Sequence, residues 1–413
     1  MQPFWPRAAR ATPAGNATTD AYRSTQALAW TALLSAAALF VLLAIFLPRG
    51  IGALLSGVQE SRPALAEVIE GTVLYQPPAA AMWQQLPNAV DLPEGTRVRT
   101  DERSRVFLTL SDGSTLLVYP NTELALQRTA IGRFNVQAQE TVLRLFGGRV
   151  HVAVARHPAL AERAITLLAN DARLDLPEGS YQVEIERDGT TDVGVRMGAA
   201  TLWKGSRAMV VTAGLRARLG PRVPIEGPLP AERPLLQAPI LAGHADRSAW
   251  WGLAETEAGP TGVVVSRDDQ IAFVRLTPDG AVKRHGEVGL AQAIERDIRD
   301  YQRLHLIIKL RVVQQSLSGG GQAGTEYPLM VRVVYLDGAG REQIWTKGFY
   351  YQNENNLNTK LGDQIPRDTW VTYDNPNLLQ EMRPAPVALT RIEIIGSGWE
   401  YESGVRRVEL TGA

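Results

Sequence analysis

The chain contains no cysteine, which excludes disulfides, thiolate metal centres and a cysteine nucleophile. It also carries no net charge, since 43 Lys and Arg residues balance 43 Asp and Glu residues. The positive excess of a dedicated nucleic-acid binder is therefore missing, and nucleic acid is not expected as a partner. Histidine is scarce: His151, His157, His244, His285 and His305 are the whole set, and they have no metal-ligand spacing. Neither H-E-x-x-H nor G-x-S-x-G occurs, and nothing in the sequence pairs a nucleophile with a base. The expectation is a protein that is not an enzyme and uses no cofactor or metal. Long apolar runs are absent too, with one exception.

That exception is Ala27 to Leu47, 21 residues without a charge. At about 1.5 Å per residue it spans a hydrocarbon core of about 30 Å. It exceeds the roughly 7 to 15 apolar residues of a signal peptide and lies behind 26 residues, so residues 27–47 read as an uncleaved transmembrane helix. Arg7, Arg10 and Arg23 precede it against Asp20, while Arg49 and Arg62 follow. The positive-inside rule then predicts a single-pass cell-membrane protein, N-terminus cytoplasmic and C-terminal domains extracytoplasmic. Residues 1–26, rich in Ala, Thr and Pro, are too few to bury a core and read as a disordered cytoplasmic tail.

Beyond the span, 45% apolar and 21% charged residues over a 413-residue chain are values of folded domains, and the length is more than one core of roughly 250 to 300 residues fills. Residues 48–66 read as a stalk. From Val68 the pattern is β. Arg105 to Leu110 alternates and runs through Asp112-Gly113 into Thr115 to Val118, a hairpin signal. Tyr181, Val183 and Ile185 face one way and Gln182, Glu184 and Glu186 the other, with Asp188-Gly189 as the turn into Thr191 to Val195. Asp279-Gly280 and Asp337-Gly338 repeat the signal. Such turns between alternating runs predict antiparallel strands, and an all-β fold apart from the one N-terminal helix. Leu92-Pro93-Glu94-Gly95 recurs as Leu176-Pro177-Glu178-Gly179, which suggests two related β layers side by side. Pro221, Pro224, Pro228, Pro230, Pro234 and Pro239 exclude helix and central strand, so residues 221–249 read as an extended, semi-rigid linker. Strands return in 250–413 at Leu306 to Val313, Leu329 to Tyr335, Ile344 to Tyr351, Arg391 to Ile395 and Val405 to Leu410, a spacing that fits a β-sandwich.

One ordered series of motifs covers about residues 68–220: Glu70-Gly71-Thr72-Val73, Trp83, Leu92 to Thr100, Asp112-Gly113-Ser114, Pro120-Asn121-Thr122, Gly147-Gly148-Arg149-Val150, Gly179-Ser180-Tyr181 and Val193 to Thr201. In this order they resemble the FecR family. The resemblance implies an extracytoplasmic antiparallel β module over 67–220, in a family whose best-known members relay a signal from an outer-membrane receptor to a sigma factor. Those members are similar in having a folded cytoplasmic region before the membrane helix, where this sequence has Met1 to Gln26. Tyr301 to Val313, Glu326 to Leu329, Trp345 to Tyr351 and Ser397 to Tyr401 resemble galactose-binding-type jelly rolls of carbohydrate-binding modules, which implies a jelly-roll domain over 250–413.

Four features remain to be weighed. Gly319-Gly320-Gly321-Gln322-Ala323-Gly324 satisfies G-x-G-x-x-G, but a strand rather than a helix follows, so it reads as a flexible interstrand loop and not a phosphate cradle. Asp268-Asp269 offers two carboxylates where calcium needs about six to eight oxygen ligands, and reads as a solvated turn. Arg97, Arg99, Arg103 and Arg105 read as a solvated strand face. Aromatic residues are only 7% of the chain, yet they gather late in it. Sugar rings stack on aromatic planes while amides pair with hydroxyls, so Tyr350, Trp370 and Tyr373 with Asn353, Asn355 and Asn356 are the candidate ligand-binding residues. The expected function is a membrane-anchored envelope binding or scaffold protein whose partner is a polysaccharide or another envelope protein. The alternatives are a sigma-factor signal relay and a structural assembly protein.

Overall fold

A computed structural model of the protein describes residues 29–47, 59–132, 139–156, 164–186, 188–220, 224–240, 248–256, 262–267, 270–277 and 282–413. The 1–26 tail, the Asp268-Asp269 turn and the Asp279-Gly280 turn lie outside the described residues. Ala29–Leu47 is a 19-residue helix, long and apolar enough to cross a membrane, and all of its residues are exposed. Among the described residues every other element is a β-strand apart from one 3-10 turn at Leu378–Gln380.

Alternation builds the first domain. Val106 and Leu108 on Arg105–Thr109, Leu116 and Val118 on Thr115–Val118, and Tyr181, Val183 and Ile185 on Gly179–Ile185 all point into one core. The strands form two sheets. One runs from Val73–Gln76 through Arg97–Thr100, Glu123–Gly132, Glu140–Val154, Ile165–Ala169, Ala172–Leu176 and Ala199–Lys204 to Arg207–Thr212. The other runs from Ala89–Leu92 through Ala64–Glu70, Arg105–Thr109, Thr115–Val118, Glu140–Val154, Gly179–Ile185, Thr191–Met197 and Leu215–Leu219 to Ile225–Pro230. All pairs are antiparallel except Glu140–Val154 with Ile165–Ala169.

Glu140–Val154 belongs to both sheets. Its first half buries Leu143 and Leu145, its second half Val150 and Val152, so the inward parity changes between them. The change is made at a bulge between Leu145 and Gly147 and at Gly148, whose φ is 84°. A Cβ there would fall on the Thr122 hydroxyl and the Asn121 carbonyl, so glycine is required twice over. The two Leu-Pro-Glu-Gly copies have a shared role. Each follows the end of a strand, Leu92 in one sheet and Leu176 in the other, and the next strand lies in the opposite sheet.

The proline-rich stretch is extended but is not a free spacer. Ile225–Pro230 pairs with Leu215–Leu219 of the first domain, and Arg233–Pro234 pairs with the last strand of the second. The second domain is a β-sandwich. Its first sheet orders Gly262–Arg267, Gln270–Arg275, Tyr401–Gly412, Leu304–Gln315 and Val371–Asn375. Its second orders Trp251–Thr256, Gly286–Asp297, Pro386–Gly398, Leu329–Asp337, Glu342–Tyr350 and Gly362–Gln364. Leu306, Ile308, Leu310, Val331, Val333, Ile392, Ile394, Val408 and others fill the space between them.

Candidate functional site

The six candidate residues do not share one surface. On Glu342–Tyr350, Trp345 and Phe349 enter the core, which turns Tyr350 to the outer side of its sheet. There Tyr350 is 7% exposed and packs at 6.1 Å between ring centres on Tyr327. Tyr327 lies on Gly348 and Gly362, where an added Cβ would meet its ring. Tyr373 packs edge-on against Phe349 at 5.4 Å. Burial pushes its hydroxyl up to about 12, and the Asn375 amide donates to it at 3.1 Å. Asn353 closes its own loop: its Oδ1 accepts from Leu357 N at 2.9 Å and its Nδ2 donates to Leu357 O at 3.1 Å. Asn355 N donates to Ser318 Oγ at 2.9 Å, and Asn356 takes a φ of 48° in the same turn.

The glycine-rich loop beside them opens no helix. It is tied down by buried Gln315, whose Nε2 donates to Leu317 O, Gly319 O and Gln352 O. Those bonds give the loop, expected to be flexible, fixed partners.

Trp370 stands apart, half-buried on the outer side of the first sheet. Arg406 lies 4.1 Å and Arg311 4.9 Å from its ring centre. Arg311 also donates to Asp368 at 3.0 Å and to Gln270 at 3.2 Å. The indole edge lies near Gly404 of the last strand, 3.6 Å from where a Cβ would stand, an ordinary contact distance. Further along this face His305 Nε2 is 2.7 Å from Asp374, and Arg407 donates to Glu409 at 2.6 Å. The result is a sheet face with an aromatic plane ringed by guanidinium, carboxylate and amide groups.

A second constellation, invisible in the sequence, sits between the domains. Gln182 and Glu184 face away from the first core, yet they are only 6% and 9% exposed. They are covered by the linker and by the second domain's turn at Asp297 to Tyr301. Glu184 accepts from Arg296 at 2.5 and 2.6 Å and from Arg233 at 2.9 Å. Burial pushes its carboxyl up, but Arg296 and Arg233 outweigh that and hold it below its ordinary value. Asp192 pairs with Arg216 at 2.8 Å and Arg233 at 2.9 Å. Arg149 donates to Asp297 O at 2.9 Å and lies 3.9 Å from the ring centre of Tyr119. Arg196 donates to Asp300 O at 2.7 Å, and Arg299 to Glu70 at 2.6 Å. A cleft of about 270 Å³ opens at this junction, lined in part by Gln182, Arg196, Arg233 and Tyr301.

The four arginines read as one solvated face belong to different places. Arg97 and Arg99 share Glu123 and lie 5.6 and 4.4 Å from the Trp83 ring centre. Arg105 is in the other sheet, 5.2 Å from Tyr119. Arg103 is in the turn between, its N–H bonded to Asp101. No group of three or more His, Asp or Glu residues able to hold a metal is found among the described residues.

Residues 96–201 match the family model described as FecR protein, within the span that carries the motif series. No curated protein matches the sequence. Among solved structures the chain is similar to two of a proposed anti-sigma factor from Parabacteroides distasonis. One is 15% identical with a TM-score of 0.27, covering 33% of this chain and 60% of that one. The other is 14% identical with a TM-score of 0.29, covering 35% and 69%. A family 11 carbohydrate-binding module from Clostridium thermocellum in complex with a mixed-linked tetrasaccharide is 11% identical with a TM-score of 0.26, covering 44% of this chain and 96% of that one. Scores this low carry no argument about ligand or partner.

Proposed function

We propose that this FecR-domain chain is a membrane-anchored, non-enzymatic binding protein of the cell envelope whose distal sandwich takes a polysaccharide on the sheet face around Trp370. The observation that supports it is the placement of Trp370 between Arg311 and Arg406, with Asp368 and Gln270 in the same network. A pyranose presents C–H groups that pack on an indole plane, and adjacent hydroxyls that pair with carboxylate, amide and guanidinium groups at its edge. Tyr350, Tyr373 and Asn353 have their rings and amides engaged within the fold, which leaves Trp370 as the member of the original set best placed to meet a ligand. The test is affinity electrophoresis of residues 59–413 in gels containing neutral and acidic soluble polysaccharides, with and without calcium. Retardation that Trp370→Ala abolishes supports the reading. Equal mobility in every gel, or retardation that survives the substitution, sinks it.

Signal relay is the second reading, and the buried ion cluster favours it. A distal domain docked on the module next to the membrane span passes a load on as a rigid body, which a flexible spacer would not. Its test is a sigma-factor reporter with and without residues 1–26: unchanged output removes this reading.

A further inference from the structure

The two faces of the FecR-type domain are unequal. The outer side of one sheet is covered by the second domain, while that of the other is open. Cross-strand partners point to the same side of a sheet, so the register places Arg97, Ala125, Arg144, Leu168, Arg173 and Trp203 in one row across the open side. At about 4.8 Å per strand the row is roughly 24 Å long. Beside it lie Trp83 and Phe146, both stacked with Arg97. Phe146 is 46% exposed and Trp203 42%, so apolar side chains stand out on a broad sheet face. Four guanidiniums, Arg97, Arg99, Arg144 and Arg173, face two carboxylates, Glu123 and Asp175, an excess of two positive charges.

We infer that this open face docks on an anionic lipid surface, the bilayer into which the chain's own helix is anchored. The inference rests on the reading of residues 27–47 as an anchor. Residues 48–58 join the helix to the first strand, and at about 3.3–3.6 Å each they reach at most about 40 Å. The chain enters the domain at this same sheet, where Gln59–Ser61 pairs with Ala130 to Gly132. A tether this short keeps the domain at high effective concentration beside the headgroups, so weak contacts suffice. Trp and Phe suit the headgroup zone, and each arginine near an anionic surface adds a similar increment of binding. An acidic protein partner fits the charge but not the tether.

The experiment uses residues 59–413, which hold every residue of both cores. Flotation is measured with vesicles of phosphatidylcholine alone and of phosphatidylcholine with phosphatidylglycerol. Binding to the anionic vesicles is expected, and Arg144→Glu should weaken it at least about tenfold. Lys360→Glu, the same charge change at an exposed position of the distal domain, should leave it unchanged, as circular dichroism confirms both variants folded. Equal binding to the two vesicle types, or equal loss in both variants, overturns the inference. So does vesicle binding indifferent to Arg144→Glu while crosslinking in cells to a protein is lost, which assigns the face to a protein. Carbonate extraction of the full chain tests the anchor separately: release from membranes defeats that reading whatever the vesicles show.

Discussion

Glu184 offers the sharpest test of how the two domains are joined. Its carboxylate pairs with both Arg296 of the sandwich and Arg233 of the linker. Glu184→Gln keeps the shape and one acceptor but leaves the Arg296 guanidinium facing a neutral amide and takes one of two carboxylates from Arg233, which keeps Asp192. Breaking a buried ion pair by removing one partner costs about 3–5 kcal/mol. The retained amide oxygen places the expected loss near about 3 kcal/mol. It should fall on docking rather than on either core, because neither apolar cluster includes these residues. Calorimetry of residues 59–413 should then separate one coupled transition into two, and the radius of gyration by small-angle scattering should rise. Removing the stranded charge as well, in Glu184→Gln with Arg296→Met, should cost less than the two single changes added together. Acid should mimic the single change. The folded carboxyl titrates below its ordinary value of 4.5, so its contribution is full above pH 4.5 and is lost as pH falls through the lower folded value. A Glu184→Gln protein with a single unshifted transition, within about 1 kcal/mol of the parent, and unchanged scattering would refute the claim that this cluster holds the domains together.

The remaining expectations concern single sites. Gly148→Ala puts a Cβ on the Thr122 hydroxyl at a left-handed backbone position and should destabilise the first domain by at least about 2 kcal/mol in urea unfolding. A loss below about 0.5 kcal/mol would deny the strand crossing its strict geometry. His151 is held below its ordinary 6.5, first by burial and then by Arg196 and Arg149, so its contribution to stability is complete above pH 6.5 and declines as pH falls through the lower folded value; His151→Gln should flatten that limb. Trp370→Ala should weaken polysaccharide binding by about tenfold or more, as loss of a central aromatic does at other interfaces, without shifting the melting temperature of the sandwich.

Much of the fold is legible because alternation, Asp-Gly turns and the charge-free span each report a local physical necessity. The expected strands Leu306 to Val313, Arg391 to Ile395 and Val405 to Leu410 are interior parts of Leu304–Gln315, Pro386–Gly398 and Tyr401–Gly412. Their ends lie in stretches that mix polar and apolar residues without strict alternation, yet Leu304, Leu389 and Tyr401 there are buried in the sandwich core. The linker misleads for another reason. Proline density reports an extended chain correctly, but edge pairing leaves half of a strand's backbone groups unused, so prolines at 228, 230 and 234 are tolerated in strands.

The site was less legible, since periodicity tells which residues share a face and not what covers it. The alternation that buries Tyr181, Val183 and Ile185 sets Gln182, Glu184 and Glu186 on the opposite face without telling what covers it. Two of the three are buried because Arg296 to Tyr301, more than 100 positions later, supply the matching charges. In that later segment Arg296-Asp297-Ile298-Arg299-Asp300-Tyr301 carries two guanidiniums, two carboxylates and an aromatic ring around Ile298, which is itself 2% exposed and part of the sandwich core. A turn that anchors one apolar residue in its own domain and points charges outward at measured intervals resembles any solvated turn until its partner row is known. Charge-matched polar rows on separate segments are thus the signal to seek: a strand whose outward row holds amide and carboxylate, set against a distant turn that places guanidiniums and carboxylates around one buried apolar residue. Applied to the open sheet, the same criterion finds four guanidiniums, Arg97, Arg99, Arg144 and Arg173, beside two carboxylates, Glu123 and Asp175, which is why the partner of this face is sought outside the chain.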